Sequence, residues 1–578
     1  MSEKEKVEGY VEHIIFRNEE NGYTVLNLSM KGRELTCVGT LPMIGEGELI
    51  EASGDYIEHA AYGKQFRIES YETKVPQDSV ALERYLGSGA IKGVGAALAA
   101  RIVRRFGDDT LRIIEEEPER LAEVKGISER KAREIAQQVA EKAEMQNAMI
   151  FLSGYGIALN LGAKIYQQYG DNVYRILKEN PYKMAEDIAG VGFRTADEIA
   201  GKIGIAVDSE FRIKSGLSYV LNQATAEGHV YLPEPVLLRR GQELLGVEPE
   251  RMQKSLQDMA IDKKAVIREL PAEREGDEPL RIVYASQYYY LELSTARMLH
   301  ELNITCEEDR EAIEKRIGKI EKKYQIELDE MQKTAVVEAV YSGLMILTGG
   351  PGTGKTTVLK VILYIHQALC RSEVQLMAPT GRAARRMVES TGCENASTMH
   401  LALGLLGDDT DFEPDFEYLS AGFLNVDEVS MVDMHLAYEF FRRVSRHARV
   451  LLVGDKNQLP SVGAGDVFRQ LIACGLIPVT VLDLVYRQVA LSSIPYNAKL
   501  MQENKTNLSF GEDFQFIACK GADEAAEIVR RIYLDEIAKN GMDQVQILTP
   551  YRKRSAAGVD ELNKSLEDFV NPPIAGKK

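Results

Sequence analysis

Residues 349–356, GGPGTGKT, constrain this chain more than any other stretch, because they fit the pattern G-x-x-x-x-G-K-[ST]. The apolar run LMIL precedes them and a helical pattern follows, which is the strand-loop-helix context that the pattern needs. In such a loop the backbone N–H groups wrap phosphates, the lysine neutralises β and γ oxygens, and the hydroxyl binds Mg²⁺. We therefore predict a site for a nucleoside triphosphate and Mg²⁺. Its predicted nucleotide contacts are Gly350, Pro351, Gly352, Thr353, Gly354, Lys355, Thr356 and Thr357.

A second motif, FLNVDEVSMVD, places Asp427 and Glu428 at the end of an apolar run. Open α/β sheets build their sites at the carboxyl ends of strands. Hydrolysis requires one carboxylate beside Mg²⁺ and another beside the attacking water. We predict that Asp427, with Thr356, holds the metal and that Glu428 orients and deprotonates water.

Two further catalytic candidates follow along the chain. Gln458 comes after the apolar run LLVGD and can place its amide near the γ-phosphate. Arg487, in VYRQ, is a candidate to bridge to transition-state charge.

The alternation of apolar strands and helices over residues 326–490 predicts a parallel sheet covered on both faces. Beyond 490 the segments EDFQFIAC, ADEAAEIVRRIYLDEIAKNG and QVQILTPYRKRSAAGVDELNKSL repeat this rhythm as strand, helix and strand, which predicts the start of a second α/β domain. The whole chain is predicted to be a multidomain α/β protein, and its 578 residues suggest roughly three to five domains. The predicted domains are a small β-barrel (1–76), a helical region (77–206), a winged-helix-like mixed domain (207–322), a P-loop motor domain (323–488) and an incomplete second motor domain (489–578).

Residues 7–75 alternate at period two, which predicts a small antiparallel barrel or sandwich. An oligonucleotide-binding barrel and plain structural packing are both compatible with this pattern. The segments FGDDTLRIIEEEP and YGDNVYRILKENP then repeat within the helical region, each between glycine turns that resemble helix-hairpin-helix modules. Glycine allows positive φ, and the exposed N–H groups of the next helix can meet a DNA phosphate. The predicted DNA contacts here are Gly93 and Gly95 in IKGVG and Gly190 and Gly192 in IAGVG, with helix packing alone as the alternative.

Composition limits the classes of function. The formal net charge of −18 argues against a uniformly basic nucleic-acid coat, although a local basic groove is enough for binding. The six cysteines are scattered without CxxC, which argues against a disulfide framework or a zinc site. The first residues, MSEKEKVEGY, lack an apolar signal core, and no apolar run approaches about 18 residues. We expect a cytoplasmic protein.

Taken in order, the motifs DEMQKTAV, GGPGTGKTT, MAPTGRAARRM, STMHLALG, VDEVSMVD, LVGDKNQLPSVGAGDVF and LDLVYRQ resemble the ATPase core of superfamily 1 DNA helicases. The match is closest to stand-alone RecD-type helicases with helix-hairpin-helix modules, whose motor domains are RecA-like. The resemblance implies that Gln332 reads adenine and that Thr380, Arg382 and His400 line the single-strand groove. Arg385 and Arg386 belong to the same segment and fit either that groove or a solvated helix face.

The resemblance also implies a strand-separating hairpin at about 405–423. There Phe412, Phe416 and Tyr418 fit either stacking on bases or holding the hairpin together. It further implies 5′-to-3′ movement on single-stranded and forked DNA, work in repair or recombination, and a monomer. It also implies association with the bacterial nucleoid in the cytoplasm. A DNA-remodelling ATPase without processive unwinding is the alternative. An interaction scaffold with ATP as a switch is less well supported, because a switch does not need Glu428.

Two later motifs of the family, of the types TVHKSQGSE and YTAVTRA, do not occur in the sequence. We therefore expect a C-terminally truncated chain that binds nucleotide and DNA with poor or absent turnover.

Overall fold

The computed structural model describes residues 5–18, 22–30, 33–41, 44–59, 63–74, 79–87, 91–272, 278–305, 310–369, 373–405, 417–483 and 492–570. They form two units. The first unit extends to Glu301 and includes Met431–Val444 and Pro460–Val467, and the second begins at Leu302 and holds the remainder. No helix in the described ranges has the length and apolar character needed to cross a membrane.

Five strands at the start of the chain close into a barrel in the order β1-β2-β3-β5-β4. They are β1 (Glu5–Arg17), β2 (Tyr23–Met30), β3 (Arg33–Thr40), β4 (Leu49–His59) and β5 (Gly63–Lys74). The predicted β-barrel is confirmed, since β1 pairs with both β2 and β4 and leaves no sandwich edge. The pair β3 and β5 is parallel, so the barrel is not wholly antiparallel as predicted. A closed ring with an odd number of strands cannot alternate direction all the way round.

Eight helices follow the barrel and contain the internal repeat. They are α1 (Ser79–Gly87), α2 (Ala96–Phe106), α3 (Thr110–Glu116), α4 (Glu129–Gly154), α5 (Leu159–Tyr169), α6 (Val173–Glu179), α7 (Lys183–Asp187) and α8 (Phe193–Ile203). The two copies fold alike, because α2 ends at Gly107 with φ +58° and α5 ends at Gly170 with φ +53°. Each copy buries its own apolar cluster, one centred on α2 and α4 and the other on α5 and α8.

The next region mixes helices with a small sheet of order β6-β8-β7. Its elements are α9 (Glu210–Ala226), β6 (Tyr231–Pro233), α10 (Glu234–Leu245), α11 (Pro249–Ile261), β7 (Ala265–Leu270), β8 (Leu280–Ala285) and α12 (Ser286–Leu302). The order of one helix, a short strand, two helices and a β-hairpin is compatible with the winged-helix-like domain that the sequence predicts. Asp197 of α8 joins this region to the preceding one. It accepts hydrogen bonds from Tyr182 (2.7 Å) and from two nitrogens of Arg212 (2.8 and 3.1 Å).

Helix α13 (Arg310–Tyr324) lies within the range that the sequence assigns to the mixed domain, but it packs in the second unit. Ile313, Ile317 and Ile320 recur at helical spacing and are buried in the apolar core of that unit. The charged residues of α13 therefore form only its outer face, while its inner stripe packs in the second unit.

The motor domain has a six-stranded parallel sheet of order β11-β10-β12-β13-β9-β14. Its elements are α14 (Glu330–Tyr341), β9 (Leu344–Gly349), α15 (Lys355–Leu369), β10 (Val374–Ala378), α16 (Gly381–Thr391), β11 (Ala396–Thr398), α17 (Met399–Ala402), β12 (Phe423–Val426), α18 (Met434–Phe441), β13 (Arg449–Gly454), α19 (Val467–Ala473) and β14 (Val479–Leu482). The strands β9 and β12 are buried along their whole length, as expected for a sheet covered on both faces. The predicted parallel-sheet P-loop fold is confirmed.

Two segments of the motor sequence belong to the first unit, namely 431–444, which contains α18, and 460–467. Within that unit the Gly465 N–H donates to the Gly228 carbonyl at 3.0 Å, and both glycines have positive φ. The sequence does not indicate that these segments pack in the first unit, because the contact joins two turns that are far apart along the chain.

The described residues from 492 to 570 form three helices, α20 (Ser493–Gln502), α21 (Ala522–Asn540) and α22 (Val559–Val570), and no strand. The strands predicted in EDFQFIAC and QVQILT are therefore not present in this part of the chain. A strand exists only through hydrogen bonds to a neighbour, and neither segment pairs with a described residue in a ladder. Consistent with this, α21 has no buried residue.

Candidate active site

The phosphate loop connects β9, which ends at Gly349, to α15, which begins at Lys355. Its turns need glycine, because φ is +77° at Gly352 and +88° at Gly354. Thr353 is buried and its hydroxyl donates to the Gly350 carbonyl at 2.9 Å, which ties the loop to its own start. The Lys355 ammonium donates to the carbonyls of Gly349 (2.5 Å) and Gly350 (3.0 Å), so it is held over the loop.

Gln332 supports this loop from α14. The side-chain oxygen accepts from the Asp329 N–H at 3.2 Å, while the Asp329 carboxylate accepts from the Gln332 N–H at 2.7 Å, which makes a capping box. Its amide nitrogen donates to the Thr353 carbonyl at 3.2 Å. The side chain is 4% exposed. The residue expected to read adenine therefore also joins the start of α14 to the phosphate loop.

Asp427 and Glu428 follow β12 directly. The Asp427 N–H donates to the Met377 carbonyl at 2.9 Å, which continues the parallel ladder, and its carboxylate accepts from the Glu428 N–H at 2.9 Å. Burial raises the pKa of Asp427, and the Glu428 charge adds to this, while Lys355 and Arg386 act against it. Glu428 has φ +53°, a strained value for a residue with a side chain, and such strain clusters at active sites.

Gln458 lies in the turn after β13 and is held by groups that the sequence did not single out. Its side-chain oxygen accepts from the Ser430 hydroxyl at 3.2 Å, and its backbone carbonyl accepts from Arg469 at 2.7 Å. Arg469 also donates to the Lys456 carbonyl at 2.9 Å. Ser430 lies within the motif VDEVSMVD, which was a usable signal, whereas nothing in the sequence marks Arg469.

The phosphate loop, the two carboxylates and Gln458 line one cleft of about 700 Å³. Its lining residues are Gly350, Pro351, Gly352, Thr353, Gly354, Lys355, Thr356, Thr357, Leu359, Thr380, Arg382, Ala383, Arg386, Met387, Ser390, Asp427, Glu428, Val453 and Gln458. The phosphate loop, both carboxylates and Gln458 are thus brought together, with Gln332 behind the loop. The volume is in the range of small-molecule sites.

The donors in the cleft fit Mg²⁺. Thr356 and Asp427 offer a hydroxyl and a carboxylate to the same space, and Mg²⁺ in such sites takes one or two protein oxygens together with substrate phosphates and waters. No cluster of three or more His, Cys, Asp or Glu side chains that could hold a metal ion occurs in the described ranges.

The residues predicted to contact DNA are distributed differently. Thr380 and Arg382 line the nucleotide cleft, and the Arg382 guanidinium donates to Gln546 at 3.1 Å. His400 is exposed on α17, and Tyr418 is 64% exposed. Arg487, Phe412 and Phe416 lie outside the described residues, as does most of the predicted hairpin at 405–423.

The glycine turns of the helical region have matching geometry. Gly93 and Gly190 both have φ +86°, and Gly95 and Gly192 are the N-caps of α2 and α8 without side-chain caps. A Cβ added at Gly95 or Gly192 would meet no atom within 4 Å. The first N–H groups of both helices therefore have no side-chain cap, as an anion-binding helix start requires.

Three family models match the chain. They are the OB-fold domain of the ATP-dependent DNA helicase YrrC at residues 4–76, the HHH domain of ATP-dependent RecD2 DNA helicases at 90–140 and 141–231, and an AAA domain at 332–464. The ATP-dependent RecD2 DNA helicase of Deinococcus radiodurans is 30% identical over 592 residues, which cover 99% of this chain and 79% of that protein.

Other similarities cover a smaller share of the chain. The RecBCD enzyme subunit RecD of Haemophilus influenzae is 36% identical over 169 residues, which are 25% of this chain and 26% of that subunit. The crystal structure of Pif1 helicase from Candida albicans overlaps 36% of this chain and 55% of its own, with a TM-score of 0.27 and 19% identity. An overlap of that quality carries no conclusion.

Proposed function

This chain belongs to the family of ATP-dependent RecD2 DNA helicases, and on that premise we propose that it hydrolyses ATP to move along single-stranded DNA and separate duplex strands. We also propose 5′-to-3′ movement, a role in DNA repair or recombination, action as a monomer, and a location at the bacterial nucleoid in the cytoplasm. The observation that carries the ATPase part is the convergence of the phosphate loop, Asp427, Glu428 and Gln458 on one cleft.

The chemistry assigns a separate task to each group. Lys355, now bonded to loop carbonyls, exchanges those partners for phosphate oxygens when ATP enters. Thr356 and Asp427 would hold Mg²⁺, which when bound would supply positive charge beside the phosphates. Glu428 orients a water and accepts its proton as the water oxygen bonds to the γ-phosphorus. The bond between that phosphorus and the bridging oxygen breaks, and ADP leaves.

Gln458 is suited to report the γ-phosphate, because its backbone is fixed by Arg469 while its amide faces the cleft beside Ser430. Loss of the phosphate changes the partners of that amide, and a change of partners is what a sensor requires. Gln332 contributes by holding the loop through Thr353 and, on the proposed assignment, by recognising adenine.

The proposed DNA contacts fall in two places. The glycine-capped starts of α2 and α8 offer backbone N–H groups to the phosphates of duplex or junction DNA. Thr380, Arg382 and His400 are proposed to contact the single strand in the motor.

The decisive test is ATP hydrolysis with and without single-stranded DNA. We expect stimulation by DNA, and we expect Lys355→Ala to abolish it. Lys360→Ala, on the same helix but outside the cleft, is the matched control and should behave like the natural protein. Hydrolysis that does not respond to DNA, or that survives Lys355→Ala, contradicts the proposal.

Strand displacement on forked duplexes with either a 5′ or a 3′ tail tests the remaining points. Unwinding that depends on the 5′ tail supports the proposed polarity. DNA-stimulated hydrolysis without displacement on either substrate would instead favour a DNA-remodelling ATPase.

A further inference from the structure

Helix α16 presents two arginines to the nucleotide cleft. Residues four apart on an α-helix project from the same side, and Arg382, Arg386 and Ser390 all line the cleft. The Thr380 hydroxyl accepts from the Ala383 N–H at 3.3 Å and sets the start of the helix. Arg385 and Arg386 are both exposed, but only Arg386 is among the lining residues.

The order of strands places Arg386 at a particular end of a bound triphosphate. The phosphate loop follows β9, Gln458 follows β13, and the two carboxylates follow β12. Helix α16 follows β10, which lies beyond β12 and on the side away from the loop. A triphosphate whose β-phosphate lies in the loop points its γ-phosphate towards the carboxylates. Arg386 therefore faces the γ end.

Arg386 lines the same cleft as Lys355 and the two carboxylates. A positive group in that space favours the negative charge of a bound phosphate.

The two arginines differ in their present partners. Arg382 donates to Gln546 at 3.1 Å. Within the described ranges, the Arg386 guanidinium makes no hydrogen bond and no ion pair. Its donors remain available for a ligand of the cleft.

We propose that Arg386 is an additional phosphate-binding residue of the ATP site, which donates hydrogen bonds to γ-phosphate oxygens from α16. The inference rests on the proposed function, because it takes ATP as the ligand. A planar guanidinium suits this task, since it can donate two parallel hydrogen bonds to phosphate oxygens and stays charged. Arg386 thereby belongs to the nucleotide site and not to the single-strand groove.

The test compares Arg386→Ala with Arg385→Ala in the full chain. The dissociation constants of a non-hydrolysable ATP analogue and of ADP are measured calorimetrically with Mg²⁺, and that of a single-stranded oligonucleotide is measured without nucleotide. We expect Arg386→Ala to raise the dissociation constant of the ATP analogue about tenfold, which corresponds to the loss of one charge-assisted hydrogen bond. ADP and oligonucleotide binding should change less than about twofold, and Arg386→Lys should restore part of the loss. Arg385→Ala should bind the analogue as the natural protein does.

Three outcomes overturn the inference. The analogue could bind Arg386→Ala with unchanged affinity, ADP could be weakened equally, or oligonucleotide binding could fall without nucleotide. Lys355→Ala separates these failures from failure of the proposed function. If the natural protein binds the analogue and Lys355→Ala does not, the ATP site stands even where Arg386 has no part in it. Circular dichroism confirms that each variant is folded.

Discussion

Gln332 makes one side-chain hydrogen bond to the start of α14 and one to the phosphate loop, so two substitutions at this position should remove different bonds. Gln332→Ala removes both side-chain bonds, the one accepted from the Asp329 N–H and the one donated to the Thr353 carbonyl. Gln332→Glu keeps an oxygen for Asp329 but has no donor for Thr353. The bond from the Gln332 N–H to the Asp329 carboxylate survives in both variants, because it uses the backbone.

The expected magnitudes follow from burial. Gln332 is 4% exposed, so water does not readily replace a lost partner. Leaving a buried polar group unsatisfied costs about 1–3 kcal/mol. If each lost bond lowers the free energy of local opening by this amount, amide exchange accelerates roughly 5- to 150-fold at the affected site. The introduced carboxylate also faces the Thr353 carbonyl, so the glutamate variant should loosen the loop at least as much as the alanine variant.

Hydrogen exchange measured by mass spectrometry reads the two sites separately. Gln332→Ala should lose protection both at the start of α14 and in the phosphate loop, whereas Gln332→Glu should lose it mainly in the loop. Both variants should bind ATP more weakly, because the loop is no longer held. Thr334→Ala, on the exposed side of the same helix, is the control. Equal loss at both sites in the two variants would refute the reasoning.

Three further predictions use other parts of the molecule. Glu428→Gln should lower DNA-stimulated hydrolysis about 10²- to 10⁴-fold while ATP binding persists, and steady-state kinetics together with nucleotide binding check this. Gly192→Ala should fold normally, because the added Cβ meets no atom within 4 Å. The variant should bind junction DNA with lower affinity in a binding assay. An unchanged affinity would favour a role of the glycine turn in helix packing alone. Asp197→Asn should destabilise the first unit by about 2 kcal/mol near neutral pH, because it weakens charge-assisted bonds from Arg212. Burial tends to raise the pKa of Asp197, but bonds from Arg212 and Tyr182 outweigh it and the pKa is lowered. The stabilisation is therefore complete above the ordinary carboxyl pKa of about 4 and is lost as the pH falls through the lower folded value. Thermal unfolding should show the difference between variant and natural protein shrinking in acid.

The local features of the cleft could be read from the sequence. The positive φ values at Gly352 and Gly354 are what the glycines of GGPGTGKT indicate, and Asp427 and Glu428 stand at a strand end as predicted. Each of these depends on residues next to one another. The helical repeat behaves in the same way, since its equivalent glycines adopt nearly equal φ.

Other expectations failed where a distant partner decides the outcome. The strands predicted after 490 do not form in the described residues, because a strand is defined by the neighbour it bonds to. Helix α13 packs in the core of the second unit through three isoleucines. The sequence shows their helical spacing but not the surface that they pack against. The barrel acquired a parallel pair because five strands were closed into a ring.

The sequence by itself determined that a nucleotide-triphosphate loop lies between a buried strand and a helix, that two carboxylates follow a second strand, and that glycine turns open two helix starts. These are consequences of backbone stereochemistry and residue spacing. Only the tertiary structure decided which groups hold those parts in place: Gln332 on the loop, Arg469 and Ser430 around Gln458, and Arg386 on the cleft wall. Such contacts join elements far apart in the chain, and they depend on strand order and helix rotation, which no local pattern encodes.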